Sequence, residues 1–143
     1  MRIGIVGAGG VGSVVGGLLS HGGHDVTLVD QWPEHVDKIK QDGLLIESRD
    51  QSVLTRPNAI HICELAQIAD PFEAAFVAVK SYDTTWATAL MLDYVDPENG
   101  VFVDFQNGIN DERMAAVAGA HRSLGCVIII GVGCYEPGKA IRT

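Results

Sequence analysis

Aromatic residues and positive charge are both scarce in this chain of 143 residues: 6% Phe, Trp and Tyr, and 10 Lys and Arg against 18 Asp and Glu. The resulting net charge of −8 excludes the clustered cationic surface that a nucleic-acid backbone or an anionic membrane requires. It does not exclude a dinucleotide, whose phosphates backbone amides can hold. The three cysteines, Cys63, Cys126 and Cys134, are odd in number, far apart and without CxxC spacing. That excludes a disulfide framework and a cysteine metal site, and leads to the expectation of free thiols in a reducing cytoplasm. Long apolar runs are missing too. The longest, Cys126 to Cys134, is too short for a membrane span and is expected to be a buried parallel strand. No cleavable leader is expected, because Arg2 passes directly into strand-like sequence.

What the chain has in quantity is glycine, 17 residues, placed at the ends of elements. An apolar strand (Ile3, Ile5, Val6) runs into Gly7-x-Gly9-x-x-Gly12, and a helical pattern follows with Val11, Val14, Val15, Leu18 and Leu19 as its expected buried stripe. Each glycine has a task in a strand-loop-helix of this kind. Gly7 permits the tight turn, Gly9 lets a pyrophosphate reach bare backbone, and Gly12 lets helix and strand approach closely. The helix N-terminus offers free N–H groups and partial positive charge to the phosphates. The second strand, Asp25 to Asp30, ends in an acid near the spacing of the dinucleotide fingerprint. A carboxylate at Asp30 can accept from both adenosine-ribose hydroxyls and repels a 2′-phosphate. Gln31-Trp32-Pro33-Glu34 brings no cation to hold one. NAD is therefore preferred, with NADP left open; the competing reading of Asp30 is a cap on the next helix.

Alternation continues to the end of the chain. A short helix between Pro33 and Gly43 faces Val36 and Ile39 inward, and short strands are expected at 44–46, 52–55 and 58–63. Further strands are expected at 74–79, 101–105 and 127–132, with helices near 82–92 and 111–118. The 82–92 helix carries Tyr82, Thr85, Trp86, Ala89 and Leu90 on one face. Residues 138–143 read as an edge strand that stops with no partner following it. Strands alternating with helices predict an α/β fold, a doubly wound, mostly parallel sheet of the Rossmann dinucleotide-binding kind, spanning 1–143 as one domain. Ligands of such sheets sit beyond the carboxyl ends of the strands. Two polar clusters fall there, Lys80-Ser81-Tyr82-Asp83-Thr84 and Gln106-Asn107-Gly108. Lys80 is placed to meet a cofactor oxygen or a substrate carbonyl, and Asn107 a nicotinamide ribose or a substrate hydroxyl. A solvated lysine and an Asn-Gly turn explain the same residues without function. His21 and His24 lack a third ligand, so no metal site is expected. His35, His61 and His121 are isolated, and Trp32 and Trp86 read as packing residues, with Trp32 near the adenine side.

Together the Gly7–Gly12 loop, Gly23-His24-Asp25-Val26, Val79-Lys80-Ser81-Tyr82-Asp83-Thr84 and Gln106-Asn107-Gly108 resemble the N-terminal domain of ketopantoate reductases, over essentially the whole chain. The resemblance implies hydride transfer from a reduced nicotinamide to the ketone carbon of 2-dehydropantoate, giving pantoate. It assigns Gly7, Ala8, Gly9, Gly10, Val11 and Gly12 to the pyrophosphate. Lys80 goes to the cofactor near the cleft, and Asn107 to the nicotinamide end and the substrate. In that family the general-acid lysine and a substrate-binding glutamate belong to a C-terminal helical domain. Catalytic residues are accordingly not assigned within 1–143, and this chain alone is expected to bind without turning over. NADPH-using members commonly carry a basic residue where this chain has Asp30-Gln31, which again favours NAD. The expected partner is a small 2-oxo acid, with no nucleic acid and no membrane; a homodimer stays open. The alternative reading is an NAD-sensing regulatory module of a channel or transporter, which shares the fingerprint but has no need of Lys80 or Asn107.

Overall fold

In the computed structural model, which describes residues 1–143, the elements run β1 (Arg2–Val6), α1 (Gly10–His21), β2 (Asp25–Asp30), α2 (Pro33–Asp42), β3 (Leu44–Ser48), β4 (Ser52–Thr55) and β5 (Asn58–His61). They continue as β6 (Ala74–Val77), α3 (Thr84–Met91), β7 (Val101–Asp104), α4 (Asp111–Ala118), β8 (Ser123–Gly125), β9 (Val132–Glu136) and β10 (Lys139–Arg142). Successive side chains of each central strand feed two separate cores, as the period-2 geometry of a doubly covered strand requires. Ile3, Ile5, Val26 and Leu28 pack on one face with Val14, Val36 and Ile39. Val6, Val29 and Val77 pack on the other with Ala87, Met91, Phe102 and Met114 of the remaining helices and strands. The six-stranded sheet is parallel throughout, in the order β5-β2-β1-β6-β7-β8. Chain order reverses between β1 and β6, the crossover position where doubly wound sheets open a crevice. The expected α/β class is what the chain forms. No helix is long and apolar enough to cross a membrane.

One local expectation holds only in part and two are overturned. Of the expected stripe of α1, Val14 is buried and Leu19 packs against the same core, but Leu18 is exposed and the rest of the buried face is Gly12, Ser13, Gly16 and Gly17. The helix is wedged between the main sheet and a second, four-stranded sheet of order β4-β3-β10-β9. A Cβ on Gly16 would lie 2.6 Å from Leu28 Cδ2 on one side, and a Cβ on Gly17 2.7 Å from Ile46 Cδ1 on the other. Close approach on two sides selects glycine despite a cost of about 1 kcal/mol per helical glycine.

The second correction concerns residues 127–132. They form no buried parallel strand; the chain there is irregular up to β9, and Val127 and Ile129 are 89% and 94% exposed. The segment crosses from the edge of one sheet to the other, so no neighbouring strand is available to pair with it. The third concerns the C-terminal strand. β10 is no edge strand: it lies between β3, parallel, and β9, antiparallel.

Candidate functional site

The turn after β1 holds Gly7 at φ +98°, and a Cβ there would sit 2.8 Å from the Val79 amide nitrogen. Only glycine meets both demands. A Cβ on Gly12 would overlap the Gly7 carbonyl oxygen, so this position too needs glycine for helix and loop to touch. Gly9 differs: nothing lies within 4 Å of where its Cβ would be. Its backbone faces open space at the N-terminus of α1, and the helical ladder begins with Ser13 N–H donating to Gly9 O. The amides before that point are left for a ligand. Space over bare backbone, at a helix N-terminus with no acid in its first turn, fits a pyrophosphate.

Asp30 ends β2 beside this loop. Its Oδ2 accepts from Ala8 N–H at 2.6 Å and its Oδ1 from Trp32 N–H at 2.8 Å. The carboxylate therefore ties the glycine loop to the start of α2, and each oxygen keeps a second lone pair for a ligand. Behind it stands His35, which is fully buried rather than isolated. Gly138 N–H donates to its Nδ1 at 3.0 Å, which places the proton on Nε2, 3.3 Å from Ser13 Oγ; Ser13 in turn donates to Ala8 O at 2.7 Å. The glycine loop is thus braced from the second sheet through one imidazole. Burial holds the His35 pKa below its ordinary value, against the opposing charge of Asp30. Burial, with the same carboxylate, pushes the neighbouring Cys134 thiol up.

Across the crevice the strand β6 runs on to Lys80, and β7 to Asn107. The Lys80 ammonium is in no ion pair and its side chain is exposed toward the hollow. Its loop, including a 3₁₀ turn at Ser81–Asp83, is held by Gln106, whose Nε2 donates to Val79 O at 2.8 Å and whose Oε1 lies 2.9 Å from Thr84 Oγ1. Gln106 N–H is itself fixed by Asp104 Oδ1 at 2.9 Å. In the Asn-Gly turn the left-handed residue is Gly108, at φ +92°, and no non-glycine residue has positive φ. Asn107 is therefore not spent on the turn, and its side chain remains free at the rim.

These pieces enclose one crevice of about 470 Å³ between β1 and β6. Gly7, Gly9, Gly10, Val11, Asp30, Lys80 and Asn107 all line it; Ala8 and Gly12, also expected in the site, are buried beneath it and shape the loop from behind. The sequence reading missed Ile128, Ile130 and Val132, which wall the crevice from the segment misassigned as a core strand. Trp32 stacks on His35 with ring centroids 5.2 Å apart, whereas Trp86, 46% exposed, lines a small hollow that continues the crevice past Asp30 and Val29.

The chain matches the family model described as ketopantoate reductase PanE/ApbA over residues 3–143. It is 32% identical to a 2-dehydropantoate 2-reductase of Halobacterium salinarum, an alignment covering 96% of this chain and 45% of that one. A 2-dehydropantoate 2-reductase structure from Geobacter metallireducens superposes with TM-score 0.85 at 26% identity, over 99% of this chain and 46% of the other. The ternary structure of a D-mandelate dehydrogenase with NADH and anilino(oxo)acetate shares the fold, with TM-score 0.87 at 23% identity, 100% and 46% covered. The chain spans just under half the length of these relatives.

Proposed function

The chain belongs to the ketopantoate reductase family of oxidoreductases, and we propose that it is the cofactor-binding half of an NAD-dependent 2-oxo acid reductase, with 2-dehydropantoate as the first substrate to test. The observation that carries this reading is the convergence of the open Gly9 backbone, an amide-pinned Asp30, an unpaired Lys80 and a free Asn107 in one crevice. When bound, a reduced nicotinamide supplies the hydride that a ketone carbon accepts.

The protein's own residues bind, orient and exclude water. Amides at Gly9, Gly10 and Val11 take the pyrophosphate, and the remaining lone pairs of Asp30 take the ribose hydroxyls. Lys80 gives the far end of the crevice its one cation, suited to a carbonyl or carboxylate oxygen, and Asn107 offers an amide to the nicotinamide ribose or substrate. Ile128, Ile130 and Val132 keep water from the reacting face. The proton donor is assigned to the part of the family's length that this chain does not span. The outward-facing Val127 and Ile129, beside the crevice mouth, are the apolar surface against which that part would close.

NAD is favoured because the crevice brings no cation beside Asp30, and a 2′-phosphate there would face a fixed carboxylate. Titrating the chain with NADH and NADPH side by side, by calorimetry, tests this. NADH is expected to bind more tightly, and Asp30→Ala to narrow the preference by roughly tenfold, the loss of charge-assisted hydrogen bonds worth about 1.5 kcal/mol or more. A preference for NADPH in the wild type would overturn the role of Asp30. Binding of neither nucleotide would overturn the proposal for this chain.

A further inference from the structure

A second cavity, of about 540 Å³, opens at the amino-terminal ends of the strands, the opposite end of the sheet from the crevice. Arg2, Asp25 and Asn58 bring the starts of β1, β2 and β5 to it, Lys40 reaches it from α2, and Ile39 and Ile60 give it an apolar side. Two of its three cations are already committed. Arg2 is 3.1 Å from Asp70 and 3.8 Å from Asp25, and Lys40 is 2.8 Å from both carboxylate oxygens of Glu64. Arg56 is different: its guanidinium takes part in no ion pair and donates to no group of the protein.

Thr27 supplies an independent observation. It is 5% exposed, in the middle of β2, and its hydroxyl has no hydrogen-bond partner. No fully enclosed side-chain oxygen or nitrogen in the molecule lacks a partner. The Thr27 hydroxyl therefore opens onto the cavity it lines. That hydroxyl, on a side chain otherwise buried, reaches solvent only through the cavity, so its hydrogen bonds are completed there by water or by a ligand. The Asn58 side-chain amide, at the same rim, is also without a protein partner. A planar cation, a hydroxyl and an amide around an apolar wall form the donor set of an oxyanion site.

We propose that this cavity is a second ligand site, for a small oxyanion on a short apolar body, a carboxylate or a phosphate ester, held by Arg56, Thr27 and Asn58. Isobutyrate and inorganic phosphate, titrated separately by calorimetry at ionic strength fixed with NaCl, test it and distinguish the two sources. At least one probe is expected to bind saturably, and the tighter one identifies the ligand chemistry. Arg56→Gln, an exposed position that leaves the fold intact, is expected to weaken that binding about tenfold or more, as loss of a charge-assisted hydrogen bond does. Thr27→Val, with folding checked by its melting curve, is expected to weaken it several-fold, and saturating NADH to leave it in place. Three results would overturn the proposal: no saturable binding of either probe above chloride, equal affinity in Arg56→Gln, or displacement by NADH, which would put the anion at the glycine loop.

Discussion

Replacing Gly9 by Ala separates binding from folding in a way the geometry specifies. Nothing lies within 4 Å of a Cβ at this position, and its φ of −71° suits alanine. The only structural loss is a poorer N-cap, up to about 1 kcal/mol on the N-cap scale. For a domain of this size that moves Tm by about 1–4 °C. The methyl group would occupy the space over the amides where the pyrophosphate is proposed to sit, so NADH affinity is expected to fall at least about tenfold, one charge-assisted hydrogen bond or more. Gly12→Ala is the opposite case. Its Cβ would overlap the Gly7 carbonyl oxygen, backbone that cannot swing aside, and lie 3.3 Å from Ile5 Cγ2. Overpacking of about 1–3 kcal/mol is set against a helix-propensity gain of about 1 kcal/mol, a net loss of up to about 2 kcal/mol, so Tm should drop by up to about 8 °C. Calorimetric titration and thermal melts of both variants are the assay. A Gly9→Ala protein that binds NADH as the wild type does would refute the placement of the phosphates.

Other outcomes follow from the same contacts. Gln106→Leu leaves Val79 O without its donor inside a buried clamp, which should cost about 1–3 kcal/mol and loosen the Lys80 loop; an unchanged melting curve would show that the clamp is incidental. The His35 pKa is depressed by burial, so its contribution to stability is complete above the unfolded value of 6.5 and is lost as pH falls through the lower folded value. Chemical denaturation between pH 7 and 5 should show stability declining more steeply in wild type than in His35→Asn, and parallel curves would contradict the buried neutral imidazole. Trp86 borders the ribose end of the crevice while Trp32 is stacked on His35. AMP is therefore expected to shift the indole N–H NMR signal of Trp86 more than that of Trp32, the two signals being assigned with Trp86→Phe and Trp32→Phe; the reverse pattern would misplace the adenosine end.

The parts of this molecule that sequence reveals are those carried by local grammar. Gly7, Gly9 and Gly12 announce a loop that their own backbone geometry demands, and Val36 and Ile39 between Pro33 and Gly43 give α2 correctly. Asp30, Lys80 and Asn107 were visible because a polar residue stands where an apolar strand ends. What escaped notice depends on partners distant in sequence. The glycine face of α1 exists because Ile46 and Thr55 of a second sheet press on Gly17, and no helical periodicity encodes that neighbour. The run from Val127 to Ile130 has the composition of a core strand, yet its position between two sheets leaves it no ladder to join. His35 looks isolated until β10 folds back to bring Gly138 to its ring, and Gln106 looks like half of a turn motif until Val79 and Thr84 are found on its amide.

The central claim is that the Gly7–Gly12 loop and Asp30 form a preformed dinucleotide site, and amide NMR of the ¹⁵N-labelled chain titrated with NADH tests it most directly. The account predicts saturable shifts concentrated at Gly9, Gly10, Val11, Gly12 and Asp30, with smaller ones at Lys80 and Asn107. Saturable binding that leaves the Gly9–Gly12 amides in place, or no shift at all, would contradict it.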